Sequence, residues 1–184
     1  MALEIERRFL VHNRAWQSLV KWEAEIQQGY LLSQEDGLTA RVRLQKQENG
    51  SWQAWLTIKA RSYPGTPAYA RLEFEYPIPV EDAEELLLLS PWRLSKKRYG
   101  LRLSDGEWVL DVFDGPNSPL VIAEVELEDS EVSLRIPKWC GKEVTGRHQF
   151  SNAALARTPF QAWNQEDRVE VESPLNQSSE DINS

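Results

Sequence analysis

Eight short segments of this chain read as strands, and several of them alternate residue by residue between an apolar face and a charged one. A period of two marks a strand whose successive side chains point to opposite sides. In the first segment, residues 2–11, Glu4, Glu6 and Arg8 share one face, while Leu3, Ile5, Arg7 and Phe9 share the other. Further segments follow at residues 27–33, 38–46, 52–61, 69–78, 94–103, 107–113 and 120–128. Turn chemistry separates several of them: Glu35-Asp36-Gly37, Glu48-Asn49-Gly50 and Ser104-Asp105-Gly106. Asn-Gly between two alternating runs predicts an antiparallel hairpin. Helical spacing is expected at residues 13–22, with Asn13 as the N-cap, at residues 80–89, where acids precede leucines, and over residues 151–163, at least as far as Pro159.

The expected fold is therefore mainly β (α+β). Eight antiparallel strands close into a barrel, or tunnel, with flanking helices over the apolar faces and a charged lumen. An open sheet with one wet face is the competing architecture. The domain spans residues 1–163. Residues 164–184 hold six acids and one arginine and form an acidic tail expected to be disordered, which carries most of the formal net charge of −8. Residues 137–139 and 141–145 read as irregular.

This balance excludes a nucleic-acid surface as the default reading. Cys140 is the only cysteine, which rules out an intrachain disulfide and fits a reducing compartment. Charge from Glu4 onward leaves no room for a signal-peptide core, and no apolar run nears the roughly 20 residues that cross a bilayer. The expectation is a cytoplasmic protein with no membrane partner, monomeric or homodimeric.

The polar faces assemble Glu4, Glu6, Arg8, Arg41, Arg43, Lys59, Arg71, Glu73, Glu75, Lys96, Arg98, Asp111, Glu124 and Glu126. Unpaired charge costs several kcal/mol to bury, so such a set must pair internally, stay hydrated or hold ligands. Oxygen-only carboxylate pairs suit Mg²⁺ or Mn²⁺, which also take oxygens from a bound phosphate. Guanidinium and ammonium groups suit the phosphate itself. Any one Glu-x-Glu or Arg-x-Arg is more simply a solvated strand face; their coincidence on faces defined by apolar neighbours points to a metal-assisted polyphosphate site. His12, His148 and Cys140 have no partner pattern, the tryptophans read as core, and no Gly-rich phosphate loop is present.

The chain also resembles the CYTH domain, or triphosphate tunnel metalloenzyme superfamily, over residues 3 to about 155. The resemblance rests on Glu4-Ile5-Glu6, Gln28-Gly29-Tyr30-Leu31, Arg41-Val42-Arg43, Thr57-Ile58-Lys59, Glu73-Phe74-Glu75-Tyr76, Lys96 with Arg98, Asp111-Val112-Phe113, Glu124-Val125-Glu126 and Glu143-Val144-Thr145. It implies an eight-stranded tunnel that hydrolyses a small-molecule triphosphate, inorganic tripolyphosphate first, by a metal-activated water with Mg²⁺ or Mn²⁺. Glu4, Glu6, Glu124 and Glu126 resemble the metal-side carboxylates, with Asp111 beside them. Arg41, Arg43, Lys59 and Arg98 resemble the phosphate clamps, joined by Lys96; Glu73 and Glu75 are second-metal or supporting groups. Glu4, Glu6, Arg8, Tyr30 and Lys59 form the implied catalytic set. Class IV-type adenylate cyclase, thiamine or nucleoside triphosphatase, and a non-catalytic polyphosphate-binding module stay open.

One departure stands out: the family's lysine is Arg8 here. Arginine cannot give up its proton to a partner such as Tyr30, but it can bind two phosphate oxygens at once. A clamp role is expected, with substrate preference the property most exposed to the change.

Overall fold

A computed structural model describes residues 3–34, 37–65, 70–128 and 133–177. All eight expected strands form: β1 (Leu3–Val11), β2 (Val20–Ser33), β3 (Thr39–Gln47), β4 (Trp52–Arg61), β5 (Ala70–Pro77), β6 (Trp92–Leu101), β7 (Glu107–Phe113) and β8 (Val121–Glu126). They run antiparallel in the order β5-β4-β3-β2-β6-β7-β8-β1, and β1 pairs back onto β5 to close the barrel. Closure leaves no free edge along these strands. A ninth strand, β9 (Cys140–Glu143), pairs with the late part of β1, beyond the stretch that meets β5. This segment was expected to be irregular; it is too short, and too broken by Gly141, to show alternation.

Three apolar clusters surround the barrel. α1 (Val80–Leu89), which matches its expected span, lays Ala83 and Leu87 on Val42, Leu44 and Ala54, the outward side chains of β3 and β4. Phe9, Trp108, Leu110, Val125 and Trp139 form a second cluster on the outer face of β1, β7 and β8. The third closes one end of the barrel. There, α2 (Asn152–Arg157) packs Leu155 among Leu10, Phe113, Ile122 and Phe160, with Ser151 capping its N-terminus.

Two expectations need correction. The helix predicted over residues 13–22 is only a 3-10 turn, Ala15–Leu19, and Asn13 accepts from the Ala15 N–H without capping a helix. Val20, Lys21 and Trp22 already belong to β2. Trp22 stays in register opposite Gly100, whose missing side chain leaves room for the indole; a Cβ there would lie 2.1 Å from the ring. The tail is not disordered throughout: α3 (Gln165–Gln177) is a helix. Its Val171 is buried in the end cluster, Glu170 accepts from both guanidinium nitrogens of Arg147 at 2.7 and 2.9 Å, and Arg168 lies over the Phe160 ring. One apolar residue and a pair of charges hold a segment whose composition alone reads as solvated. Residues 178–184, part of the turn at Glu35-Asp36 and part of the loop at 66–69 lie outside the described residues. Among those described, no helix is long and apolar enough to cross a membrane.

Candidate active site

Register places the predicted charged residues on one lumen face. Lys59 stands opposite Glu73, Thr57 opposite Glu75, Arg41 opposite Thr57, Arg98 opposite Asp111, and Arg8 opposite Glu124. Because side chains alternate strictly along a strand, each register pair commits both neighbours to the same side.

The groups meet in two linked networks. On β6, β7 and β8, Arg98 grips Asp111 with two hydrogen bonds of 2.7 Å and reaches Glu124 at 2.7 Å. Lys96 donates to Asp111 at 2.5 Å and to Asn152 of α2 at 2.9 Å. Asp111 is fully buried. Burial alone would raise its carboxyl, but Arg98 and Lys96 outweigh it and hold it below the usual carboxylate range. The same contest, won by Arg8 and Arg98, keeps Glu124 ionised far below its ordinary value. Lys96 goes the other way: burial pulls its ammonium down to about 7 despite Asp111.

On β1, β4 and β5, Lys59 binds Glu4 at 2.6 Å and Glu73 at 3.1 Å. Arg41 donates to Thr57 at 2.9 Å and to Glu75 at 3.2 Å, and Thr57 donates in turn to Glu75 at 2.8 Å. Arg8 ties Glu124 of the first network to Glu6 on β1, two residues along the same face from Glu4, through ion pairs with both. Those carboxylates more than offset the burial that would lower its guanidinium, so Arg8 stays charged. It is a fixed cation and cannot act as a base.

Two places in the lumen lack compensation. Arg43 makes no ion pair among the described residues, and its buried Nε has no hydrogen-bond partner. Burial, aided by Arg41 and Arg98, pushes its guanidinium down to about 9. Across the lumen, Glu126 pairs in register with Glu6. Burial, with Glu4, Glu73 and Glu6 nearby, pushes the Glu126 carboxyl up. Burial also raises Glu6, with Arg8 opposing and Glu124 and Glu4 adding to the rise. Among the described residues Arg43 thus lacks an anion and Glu126 lacks a cation, whereas Glu4 and Glu6 are paired with Lys59 and Arg8. Among the described residues, no three carboxylate, imidazole or thiolate groups converge tightly enough to enclose a metal alone. The Glu4, Glu6 and Glu126 donors still suit a hard divalent cation, which would relieve their crowding and complete its shell with phosphate and water oxygens.

The remaining predicted residues are placed as follows. Tyr30 faces the lumen, but its hydroxyl accepts from Gln28 at 3.3 Å and its ring belongs to the end cluster. Asp111 is held by two bases and does not stand free beside Glu4 and Glu6. Three contributors were not foreseen as site residues: Thr57 and Asn152 above, and Thr145, whose hydroxyl accepts from the Arg8 N–H at 3.0 Å. Thr57 shares a strand face with Lys59 and so could have been included. Asn152 reaches Lys96 from a helix 56 residues away, and no local pattern reports that.

A family model for the CYTH domain matches residues 2–158. An inorganic triphosphatase of Acetivibrio thermocellus is 36% identical over 162 residues, 87% of this chain and 97% of that protein. An inorganic triphosphatase of Nitrosomonas europaea is 36% identical over 157 residues, 83% of this chain and 96% of its own. The crystal structure of an inorganic triphosphatase superposes with a TM-score of 0.58 at 34% identity, covering 85% of this chain and 95% of that one.

Proposed function

The chain belongs to the CYTH domain family, and from that premise we propose that it is a hydrolase of small-molecule triphosphates, acting on inorganic tripolyphosphate with Mg²⁺ or Mn²⁺. The observation that carries this reading is the divided lumen. Arg43, half-buried with its Nε enclosed, has no ion pair among the described residues, while Glu126 stands among carboxylates with none either. A triphosphate with its divalent cation supplies both missing charges at once.

In this reading Arg41, Arg43, Lys59, Lys96 and Arg98 hold the phosphate oxygens, and Arg8 adds a permanently charged two-pronged contact. Glu4, Glu6 and Glu126 hold the metal, with Glu124 between them and the bases. The metal, when bound, neutralises phosphate charge and acidifies a coordinated water. Asp111 positions Lys96 and Arg98, and Glu73 and Glu75 support Lys59 and Arg41. These bases are fixed before substrate arrives, so charge developing on the transferred phosphoryl group meets donors that need no reorganisation.

The test is phosphate release from tripolyphosphate, thiamine triphosphate and ATP in Mg²⁺, Mn²⁺ or EDTA, with cyclic AMP assayed beside ATP. Release from tripolyphosphate that needs either metal is expected. No turnover of any triphosphate with any metal would refute the reading, and cyclic AMP formation would move it to a cyclase.

A further inference from the structure

The basic side chains do not stop where a triphosphate would. On β3 and β4 they climb one lumen wall at two-residue intervals: Arg43 beside Trp55, Arg41 beside Thr57, Lys59, then Arg61. From the level of Arg43 to Arg61 is six residues of strand, about 20 Å at strand rise. Three phosphates joined by two bridging oxygens are far shorter. The ladder ends on the wall of the same cavity of about 630 Å³ that Glu6, Arg8, Arg41 and Lys59 line, where Arg61 and Arg71 also stand.

At this last rung the pairing rule of the lumen breaks. Lys59 faces Glu73 and Thr57 faces Glu75, but Arg61 faces Arg71. Like charges directly opposite on a strand pair are destabilising. Neither arginine has a carboxylate partner among the described residues. Arg71 donates to the Gly37 carbonyl at 2.5 Å, and Glu4, which faces it from β1, is bound to Lys59. The other cations at the mouth are occupied: Arg8 by Glu6, and Arg147 by Glu170. The wall near the pair carries Gly37, Ser62, Tyr63, Pro64, Gly65 and Ala70, none of them an acid that could answer the two arginines.

We infer that Arg61 and Arg71 form a second anion subsite at the tunnel mouth, which takes phosphate groups beyond the third of a linear inorganic polyphosphate. This rests on the triphosphatase reading for the direction of the chain but not for the subsite itself. An anion between the two guanidinium groups turns their repulsion into a shared charge-assisted contact. Binding there falls with added salt, because the mouth is open to solvent.

The experiment is calorimetric titration of the full chain in EDTA with linear tetrapolyphosphate and with tripolyphosphate, beside turnover assays of both with metal. Wild-type protein is expected to bind tetrapolyphosphate about tenfold tighter than tripolyphosphate, the lower range for one added charge-assisted hydrogen bond. Arg61→Gln, an exposed substitution, should erase most of that preference while moving the tripolyphosphate affinity less than about twofold; Arg71→Gln should erase the preference as well. Equal losses for both ligands, no wild-type preference, no binding of tetrapolyphosphate, or a preference for ATP over tetrapolyphosphate would each overturn the subsite. Tetrapolyphosphate preference without any turnover would leave the subsite standing and refute the triphosphatase. Turnover of tripolyphosphate without the preference would do the reverse.

Discussion

Replacing Lys96 by Met should make the protein more stable at neutral pH and inactive. Lys96 is 1% exposed and bonded only to Asp111 and Asn152, with its ammonium 5.4 Å from the Phe113 ring centre. Burial holds it at about 7 in the fold, against about 10.4 in an unfolded chain. Between those values the unfolded state binds a proton that the folded state does not, so stability rises with pH across that window. At and below pH 7 nearly the whole cost is present, about 4 kcal/mol. Met fills a similar volume without a charge. The loss on the other side is the hydrogen bonding of the ammonium, which leaves the Asn152 carbonyl unpaired, about 1–3 kcal/mol. Asp111 keeps both oxygens on Arg98. The net expectation is a gain of about 1–3 kcal/mol at pH 7, at roughly 2–4 °C of Tm per kcal/mol for a chain of this size.

Thermal unfolding of both proteins in EDTA at pH 6.5, 8 and 9.5 reads this directly. The advantage of Lys96→Met should be largest at pH 6.5 and shrink by pH 9.5, while phosphate release disappears. Titrating groups remote from Lys96 are common to both chains and fall out of the difference, whereas Asp111, Arg98, Glu124 and Arg43, which act on it, do not. A variant less stable than wild type at pH 6.5, or a gap that ignores pH, would refute the reasoning.

Arg8→Lys keeps one charge but cannot span Glu6 and Glu124 together; it should cost about 1–3 kcal/mol in urea unfolding and reorder the substrate panel. An unchanged ranking would remove Arg8 from the clamp. Gly100→Ala drives a Cβ into the Trp22 indole at 2.1 Å, and since a fused ring cannot fold away, a loss of about 1–3 kcal/mol is expected in the same assay. Removing residues 164–184 strips Val171 from its cluster and Glu170 from Arg147. That should lower stability by about 2 kcal/mol, the burial of one valine side chain, whereas a solvated appendage would leave Tm unchanged. Cys140, whose thiol burial pushes up to about 12, should stay unreactive to thiol reagents at pH 8 until the protein is unfolded.

What could be read from the chain follows from which interactions are local. Barrel strands carry a period of two because one face is always lumen and the other always covered, so the charged and apolar sets of β1, β3, β4 and β8 are printed in their order of residues. Asn49-Gly50 and Asp105-Gly106 then fix where the chain reverses, with Gly50 and Gly106 in the left-handed region at φ of 80° and 99°. The misread positions have the opposite property. Trp16, Leu19 and Trp22 fit helical spacing equally well, and only the space above Gly100 on β6 shows that Trp22 is a strand residue. Strand β9 depends on a partner more than 120 residues away. Helix α3 is ordered by Phe160 and Arg147, which its own composition does not mention. The site divides in the same way: the residue types on each face were legible, but which base each acid holds was not. Asp111 shows this, because its sequence neighbours cannot reveal that Lys96 and Arg98 claim both its oxygens.

That division bears on why the lumen carries both signs. Among the described residues, seven acids (Glu4, Glu6, Glu73, Glu75, Asp111, Glu124, Glu126) share it with eight bases (Arg8, Arg41, Arg43, Lys59, Arg61, Arg71, Lys96, Arg98). A tunnel lined with bases alone would suit phosphate, but each unpaired buried charge costs several kcal/mol before any ligand binds. Interleaved carboxylates let most of the bases fold already paired. A ligand that brings anion and cation together can then exchange those partners without leaving either sign stranded. Where the interleaving lapses, at Arg43 within the tunnel and at Arg61 with Arg71 at its mouth, the fold carries an uncompensated cost. Those are the positions where a bound anion returns the most free energy, and where neutral substitutions should hurt binding far more than folding.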